Sequence, residues 1–269
     1  MIYCNLRGGL GNMLFQIAAT KSLAIDKGVD CSFPNLIDNL DYLNRDNQYN
    51  PALSHGLEYL RLFQDLKVSD PTQAIETITY PFEFAELTTP SDNFRIDGFF
   101  QSEKYFKHNR RAILELFRAP ESITNLIWEK YPQVRTRRLT SIHVRRGDYV
   151  NHPNHHPVQS LEYYLRAAEL VSFTTDFYMV FSDDIPWCKE NLGSKLSNVI
   201  YIEDEKDYIE LYLMGYCFNN IISNSSFSWW GAWLSMTNGH GTVIGPTKWF
   251  GPAIQFKTGD ILPENWIKI

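Results

Sequence analysis

The sequence predicts an α/β protein with two Rossmann-like lobes, each built on a parallel sheet. Short apolar segments alternate with segments of helical apolar spacing along most of the chain. Residues 132–138 form a charged connector that starts with a proline and divides this alternation into two halves. Strands separated by helices form parallel sheets covered on both faces, so we expect domains at residues 1–133 and 134–269 with a central cleft.

The first half has the weaker pattern. Met13, Ile17 and Ala24 have helical spacing, which predicts a helix over residues 12–27 that stops at Gly28. Residues 34–56 are polar and are expected to be irregular. The remaining elements predicted here are strands at 2–6, 31–33, 75–80 and 94–100, and helices at 57–66, 110–117 and 122–131.

The second half alternates more regularly. Its predicted strands are residues 139–144, 177–181, 199–202, 220–223 and 242–245. Its predicted helices are residues 160–170, 185–191, 206–216 and 228–235. In open sheets of this kind, ligands bind beyond the carboxyl ends of the strands.

Composition excludes several classes of protein. Hydrophobic residues at 44% and charged residues at 21% are globular values and exclude disordered and fibrous chains. A net charge of −6 argues against broad binding to nucleic acid or anionic membranes. An anionic ligand then needs a local basic patch, and the densest basic run is Arg135, Arg137, Arg138, Arg145 and Arg146.

Cellular location follows from what the sequence lacks. The four cysteines have no C-x-x-C spacing, which predicts reduced thiols and neither a disulfide framework nor a zinc site. No signal peptide and no apolar run of about 20 residues is found. We expect a cytoplasmic protein without stable membrane insertion, with a peripheral position at the inner membrane face as the alternative.

The most informative segment is residues 141–149, SIHVRRGDY. An apolar strand runs directly into Arg145 and Arg146, with His143 before them and Asp148 after them. A double guanidinium at a strand end suits a planar oxyanion such as a diphosphate. The alternative is a solvated pair of surface arginines.

Two further strands end in polar groups. Asp183 and Asp184 follow the strand at 177–181, and a carboxylate there is able to accept two hydrogen bonds from N1–H and the N2 amino group of guanine. Alternatively, Asp184 caps the next helix. Asn224, Ser225, Ser226 and Phe227 lead from another strand into a tryptophan-rich helix, where hydroxyls, N–H groups and the helix dipole favour a phosphate. Ordinary N-capping by Ser226 or Ser228 is the alternative.

The glycine-rich turn before the first helix is a weaker signal. Gly8, Gly9 and Gly11 follow a strand, but Leu14 stands where a dinucleotide fingerprint has a third small residue. The glycines instead allow the backbone and the amides of Asn12 and Gln16 to approach a ligand across the cleft.

Metal chemistry is not expected. The chain has no Asp-x-Asp pair, the short motif that usually binds the divalent ion of a nucleotide sugar. His152, His155 and His156 lie in a proline-rich loop, where solvated histidines are more common than ligands. Without a metal, the charge of the leaving group must be met by Arg145 and by residues 224–227, which we call the serine turn.

Together these segments resemble glycosyltransferase family 11, the α-1,2-fucosyltransferases. The matching segments, in order, are residues 8–16, H-x-R-R-x-D at 143–148, FSDD at 181–184 and SNSSFSWWGAWL at 223–234. The resemblance implies a GT-B-like arrangement and inverting, metal-independent transfer of fucose from GDP-β-L-fucose to the 2-hydroxyl of a terminal galactose. The partners expected are therefore GDP-fucose and a galactose-terminated glycan.

The resemblance also implies roles for single residues. Arg145 would contact the β-phosphate, and Ser225, Ser226 and Phe227 would surround the diphosphate. His143 and one of Asp183 or Asp184 would hold the nucleoside, while Arg146 would be structural. Gly9, Gly11 and Gln16 are further donor-site candidates.

The general base stays open at this point. Asp148 has the right placement, but a carboxylate beside two arginines is a poor base, and orienting them is an equal alternative. Asn12 or Gln16 would position fucose or the acceptor. The rival functions are an α-1,6- or protein O-fucosyltransferase and, remotely, a carbohydrate-binding module.

Overall fold

The computed structural model describes residues 1–44, 56–88, 91, 93–235 and 240–269. They form two compact units, Met1–Arg118 with Phe256–Pro263, and Ala119–Gln255 with Glu264–Ile269. Each unit is built on one parallel sheet, and the α/β class is confirmed.

The first unit contains a four-stranded sheet. Its strands are β1 (Ile2–Cys4), β2 (Cys31–Ser32), β3 (Glu76–Thr79) and β4 (Phe94–Asp97), in the order β2-β1-β4-β3. Its helices are α1 (Leu10–Lys27), α2 (Leu36–Asn44) and α3 (Arg110–Leu116), with 3-10 helices at Gly56–Arg61, Glu103–Tyr105 and Lys107–Asn109. Gly28 ends α1 with φ 64°, a left-handed conformation that suits glycine.

Two predictions for this unit are wrong. The stretch expected to be irregular contains α2, whose buried Leu36, Leu40 and Leu43 have helical spacing. The helix expected at 57–66 is a shorter 3-10 helix. Residues 45–55, the rest of the expected irregular stretch, lie outside the described residues.

The second unit contains a six-stranded sheet in the order β10-β9-β8-β5-β6-β7. Its strands are β5 (Leu139–Val144), β6 (Phe177–Ser182), β7 (Val199–Tyr201), β8 (Asn219–Ile221), β9 (Val243–Gly245) and β10 (Ile267–Lys268). Its helices are α4 (Glu121–Lys130), α5 (Leu161–Val171), α6 (Ile185–Leu192), α7 (Asp207–Gly215) and α8 (Ser226–Trp233), with 3-10 helices at Pro132–Arg135, Asp148–Asn151 and Ser172–Thr174. Counted within the unit, the strand order is 6-5-4-1-2-3, the order of a Rossmann fold.

The division between the units falls before α4, whereas the proline and the charged residues of the connector predict a boundary after it, at residues 133–134. Helix α4 packs against α7 of the second unit. Proline and charged residues indicate a turn in the chain, but they do not show with which of the two units the helix before that turn packs.

The core of the second unit fixes the sheet and its helices in place. On one side, Ile142 and Val144 of β5 pack with Tyr164 and Ala168 of α5. Helix α8 contributes a separate aromatic cluster, in which Trp229, Trp230 and Trp233 are buried and Trp266 lies against Trp229.

Candidate active site

The site lies at the topological switch point of the second sheet. Strands β5 and β8 are parallel neighbours in the middle of the sheet. The helices that follow them have different partners, because α5 packs against α6 and α8 packs against α7. At such a point the connections leave a crevice beyond the carboxyl ends of the two strands, where ligands of open α/β sheets bind.

His143 joins the two strand ends across this crevice. Its Nδ1 lies 2.9 Å from the Ser223 hydroxyl, and its ring centroid is 5.6 Å from that of Phe227. The imidazole is buried. Burial, followed by the charge of Arg145, lowers the pKa of His143 to about 3, so the ring is neutral at physiological pH.

Arg145 is held by two carboxylates. Its Nη2 donates to Asp148 Oδ1 at 2.6 Å, and its Nη1 lies 3.0 Å from Asp183 Oδ2. Burial acts to lower the pKa of Arg145, but the charges of Asp183 and Asp148 outweigh it and raise the pKa. A guanidinium has five N–H donors, and these two ion pairs need only two of them. Arg145 is therefore a fixed, permanent cation that retains donors for a ligand.

Arg146 is built into the scaffold of the site. Its Nε donates to Asp184 Oδ2 at 2.9 Å, and its guanidinium carbon lies 4.3 Å from the centroid of the Trp187 ring. The other oxygen of Asp184 accepts from the Trp187 backbone N–H at 3.1 Å and so caps α6. Asp184 thus has the capping role that the sequence left as an alternative.

Gly147 allows Asp183 to approach the arginine segment closely. Asp183 Oδ1 accepts from the Arg146 backbone N–H at 2.8 Å, while Oδ2 pairs with Arg145. A Cβ at position 147 would lie 2.5 Å from Asp183 Oδ2, closer than real Cβ atoms approach. A side chain here is therefore incompatible with the present position of Asp183.

The serine turn opens α8 without a side-chain cap. Ser225 is the N-cap residue, so the alternative of ordinary N-capping by Ser226 or Ser228 is wrong, and the Ser225 hydroxyl makes no capping hydrogen bond. Ser226 and Phe227 form the first turn of the helix instead of preceding it. The first N–H groups of a helix have no intrahelical acceptor, and they carry the positive end of its dipole.

Asn224 fixes the position of this turn. Its Nδ2 donates to the carbonyl oxygens of Pro157 and Trp249, at 3.0 and 2.9 Å, and its Oδ1 accepts from Gln159 Nε2 at 2.9 Å. Each polar atom of the buried amide therefore has a partner within the protein. Asn224 holds the turn, and the loop that contains Trp249 is a packed support for it.

Sequence reasoning missed Tyr149, which connects the arginine segment to the serine turn. Its hydroxyl donates to the Asn224 carbonyl oxygen at 3.1 Å, and the Arg145 guanidinium carbon lies 5.4 Å from its ring centroid. The Tyr149 ring also stacks on His156, with centroids 4.8 Å apart. The only sequence signal was its position directly after the H-x-R-R-x-D segment.

The remaining predicted residues, Gly9, Gly11, Asn12 and Gln16, belong to the first unit, at the start of α1. The buried Gln16 amide accepts from the Arg7 N–H at 2.9 Å and donates to the Arg7 carbonyl, so it holds the glycine turn. Asn12 Oδ1 accepts from Gln101 Nε2 at 2.8 Å. The Gly9 carbonyl accepts from the N–H groups of Asn12 and Met13 and starts the helix, and Gly11 is buried within it.

Two negative findings apply to the described part of the chain. No group of three or more His, Cys, Asp or Glu side chains is arranged to hold a metal ion there. In the same residues, none of the helices combines the length and the apolar character that crossing a membrane requires.

Comparison with known proteins identifies the family. The model of Glycosyl transferase family 11 matches residues 63–269, which contain the second unit and its site. The chain belongs to this family. An alpha-1,2-colitosyltransferase from Escherichia coli is 30% identical across 100% of this chain and 99% of its own length. The Escherichia coli O-antigen biosynthesis glycosyltransferase WbnK is 29% identical over 100% of both chains.

More distant similarity extends to fucosyltransferases. Human galactoside alpha-(1,2)-fucosyltransferase 1 is 26% identical over 57% of this chain and 46% of its own length. The crystal structure of POFUT1 in complex with GDP-fucose superposes with a TM-score of 0.50, covering 89% of this chain and 94% of that one at 13% identity. This family 11 glycosyltransferase therefore has the fold of the GT-B fucosyltransferases.

Proposed function

We propose that this family 11 glycosyltransferase transfers L-fucose from GDP-β-L-fucose to the 2-hydroxyl of a terminal galactose on an oligosaccharide, with inversion and without a required metal. One observation carries the proposal. Arg145 and the uncapped start of α8 lie at the carboxyl ends of adjacent strands, at a Rossmann switch point. A diphosphate is the donor fragment that such a pair of groups would bind.

The leaving group explains why this arrangement would catalyse transfer. As the bond from fucose to the diphosphate breaks, negative charge grows on the departing GDP. Arg145 is fixed by Asp148 and Asp183, so its charge needs no reorganisation as the reaction proceeds. Donors aimed at developing charge stabilise the transition state more than the ground state. Arg145 and α8 would thereby supply the charge that a metal ion provides in other transferases.

The guanine would be recognised at the end of β6. Both carboxylates there already have partners, but the Asp184 side chain is 33% exposed and the Asp183 side chain only 10%. A carboxylate oxygen has two lone pairs, so Asp184 retains acceptor capacity for the N1–H and N2 amino group of guanine. Neutral His143 would contact the nucleoside from β5.

The identity of the transferred sugar needs its own test, because one relative is named for colitosyl transfer and others for fucosyl transfer. The purified protein should be offered GDP-fucose and GDP-colitose separately, with lactose, N-acetyllactosamine and Gal-β-1,3-GalNAc as acceptors. The reactions should contain EDTA. Linkage analysis of the product is expected to give fucose α-1,2-linked to galactose.

The other outcomes separate the competing functions. A product linked 1,6, or a fucosylated peptide, would replace the proposal by another fucosyltransferase. Glycan binding without release of GDP would indicate a carbohydrate-binding module, and loss of activity in EDTA would refute metal independence. Arg118→Ala is a suitable control for any Arg145 variant, because Arg118 is an exposed arginine of the first unit that pairs only with Glu115 in the described residues.

The acceptor context is proposed from the relatives. One of them is named for O-antigen biosynthesis. We therefore place the transfer in assembly of a bacterial surface polysaccharide, on the cytoplasmic side of the membrane. Asn12 remains a candidate for positioning the sugar or the acceptor, and its variant Asn12→Ala should be assayed in the same panel.

A further inference from the structure

Strand β5 separates the basic run of the sequence into two groups. Arg145 and Arg146 follow the carboxyl end of the strand, whereas Arg135, Arg137 and Arg138 precede its amino end. A strand of six residues is about 20 Å long. The run therefore does not form one patch, and the nucleotide site leaves the three arginines at the amino end without a role.

Arg138, the last of these three arginines, is bonded to an exposed turn that precedes β6. The Arg138 N–H donates to Asp176 Oδ2 at 2.9 Å, and the Asp176 N–H donates to the Arg138 carbonyl at 2.7 Å. The two hydrogen bonds join the end of the segment 135–138 to the end of the segment 172–176, just before the paired strands β5 and β6 begin. We call the side chains of Arg135, Arg137, Arg138, Leu170 and Phe173 the amino-edge surface.

The amino-edge surface combines apolar and cationic groups in the way that interfacial membrane contacts do. Phe173 is 100% exposed, and Leu170, one helical turn before it, is 57% exposed. A single exposed apolar residue needs no explanation. Here, however, the exposed phenylalanine lies three residues before Asp176, which is bonded to Arg138, and all three arginines at this end of the strands are exposed. Aromatic side chains anchor at the interface of a bilayer, and arginines bind anionic headgroups.

The guanidinium groups of this surface are available to a ligand. In the described part of the chain, Arg135, Arg137 and Arg138 make no ion pair. Arg135 and Arg138 instead lie over the faces of Trp128 and Phe218, with distances of 5.0 and 5.6 Å from the guanidinium carbon to the ring centroid. Stacking of this kind leaves the edges of the guanidinium free to form the bidentate hydrogen bonds that phosphate accepts.

The charge at this edge is opposite to that of the whole protein. The segments that precede the six strands of the second sheet contain four cations and two anions, a net charge of +2. These segments are residues 135–138, 172–176, 193–198, 216–218, the described 240–242 and 264–266. The chain as a whole has a net charge of −6. An extended polyanion such as RNA would also contact the negatively charged parts of the protein and be repelled by them. A flat anionic membrane would contact only this positively charged edge.

We propose that the amino-edge surface docks the protein on a bilayer that contains anionic phospholipid. Phe173 and Leu170 enter the headgroup region, and the three arginines bind lipid phosphates. This inference goes beyond the proposed transfer reaction and does not depend on the identity of the donor. The nucleotide site lies at the other end of the strands, so docking leaves it open.

Flotation of the full-length protein with vesicles tests the proposal. Vesicles of equal parts phosphatidylglycerol and phosphatidylcholine are compared with pure phosphatidylcholine, at 50 mM and 500 mM NaCl. Binding is expected only to the anionic vesicles at low salt. Arg137→Gln is expected to weaken binding to the anionic vesicles about fivefold. Phe173→Ser is expected to weaken it by about fivefold or more. Transfer to a soluble acceptor should be unchanged in both variants.

Matched controls come from the first unit. Tyr42 is 74% exposed on α2, next to Asp41, and Tyr42→Ser should bind vesicles like the unchanged protein. Lys257→Gln, which removes an exposed cation elsewhere, should do the same.

Four results would overturn the proposal. They are the absence of binding to anionic vesicles at low salt, equal loss of binding in the control variants, binding to an RNA oligonucleotide instead of to vesicles, and self-association in solution that Phe173→Ser abolishes. The last result would assign this surface to a second copy of the chain. None of the four depends on whether GDP-fucose is the donor, so failure here and failure of the proposed function are distinguishable.

Discussion

The Tyr149 hydroxyl donates a hydrogen bond of 3.1 Å to the carbonyl oxygen of Asn224. This single bond connects the segment that carries Arg145 to the turn that opens α8. Burial, opposed by Arg145 and reinforced by Asp148, raises the pKa of Tyr149 to about 12, so the phenol remains a donor throughout the physiological range. The hydrogen bond therefore fixes the position of Arg145 relative to the start of α8, the two groups expected to bind the diphosphate.

Tyr149→Phe should therefore reduce kcat several-fold with little change in the KM for GDP-fucose, since one hydrogen bond contributes about 1 kcal/mol. Steady-state kinetics and a melting curve measure the effect. Tyr178→Phe is the control, because Tyr178 makes the same kind of bond, to the Ala168 carbonyl at 3.1 Å, near the amino end of β6. Equal kinetic losses in the two variants would show that the effect is one of general stability.

Arg145→Ala should retain the fold and lose about 10²–10³ in kcat, the usual effect of removing one donor from a site of developing charge. Circular dichroism checks the fold, and initial rates with GDP-fucose check the activity. Near-normal turnover in a folded variant would remove Arg145 from the mechanism.

Asp148 is expected to orient Arg145, because its carboxylate accepts from Nη2 at 2.6 Å. Asp148→Asn keeps an acceptor at this position and should retain most of the activity, whereas Asp148→Ala should lose about tenfold or more. Transfer rates of both variants measured from about pH 6 to 9 distinguish an orienting role of Asp148 from a role as proton acceptor. If the Asn variant is as inactive as the Ala variant, Asp148 is the proton acceptor and the orienting role is refuted.

Gly147→Ala should abolish most transfer, since its Cβ would lie 2.5 Å from Asp183 Oδ2 and would displace the carboxylate that holds Arg145. Gly259→Ala is the matched control, because a Cβ there meets no atom within 4 Å. The rates and melting temperatures of the two variants should be compared. Full activity of Gly147→Ala would show that the position of Asp183 is not required.

His143 should make the protein less stable in acid. Burial, followed by the charge of Arg145, lowers the pKa of His143 to about 3 from its usual value of 6.5. Between these values the unfolded chain binds a proton that the folded chain does not, so stability is fully present above about pH 6.5 and falls as the pH decreases towards 3. Between pH 7.5 and pH 5, the melting temperature of the His143→Phe variant should therefore decrease less than that of the unchanged protein. An equal decrease in both would contradict the assignment.

Local patterns predicted the second sheet well because each buried strand is short and lies between clear helix signals. Strand β5 has the bounds that its apolar run predicts, and the arginine segment follows its carboxyl end. The parallel order then brings residues 143–148, 183–184 and 223–227 to one edge, as expected from the strand ends alone.

Long-range partners could not be predicted. Gln16 and Asn224 look like ligand-binding amides in the sequence, but their hydrogen bonds go to backbone atoms and to the Gln159 side chain, which only the folded chain brings near. Strand β10 has two exposed residues and no apolar alternation, so it gives no signal of its own. The start of α8 was predicted at Ser228, two residues late, because Ser226 and Ser228 are equally good caps by composition.

All seven tryptophans, including the four indoles clustered around α8, belong to the second unit. Tryptophan fluorescence, excited selectively over tyrosine, therefore reports on the second unit only, whereas far-ultraviolet circular dichroism reports on both. A denaturant titration followed by the two signals would reveal whether the halves melt in one step or separately, with no engineered label.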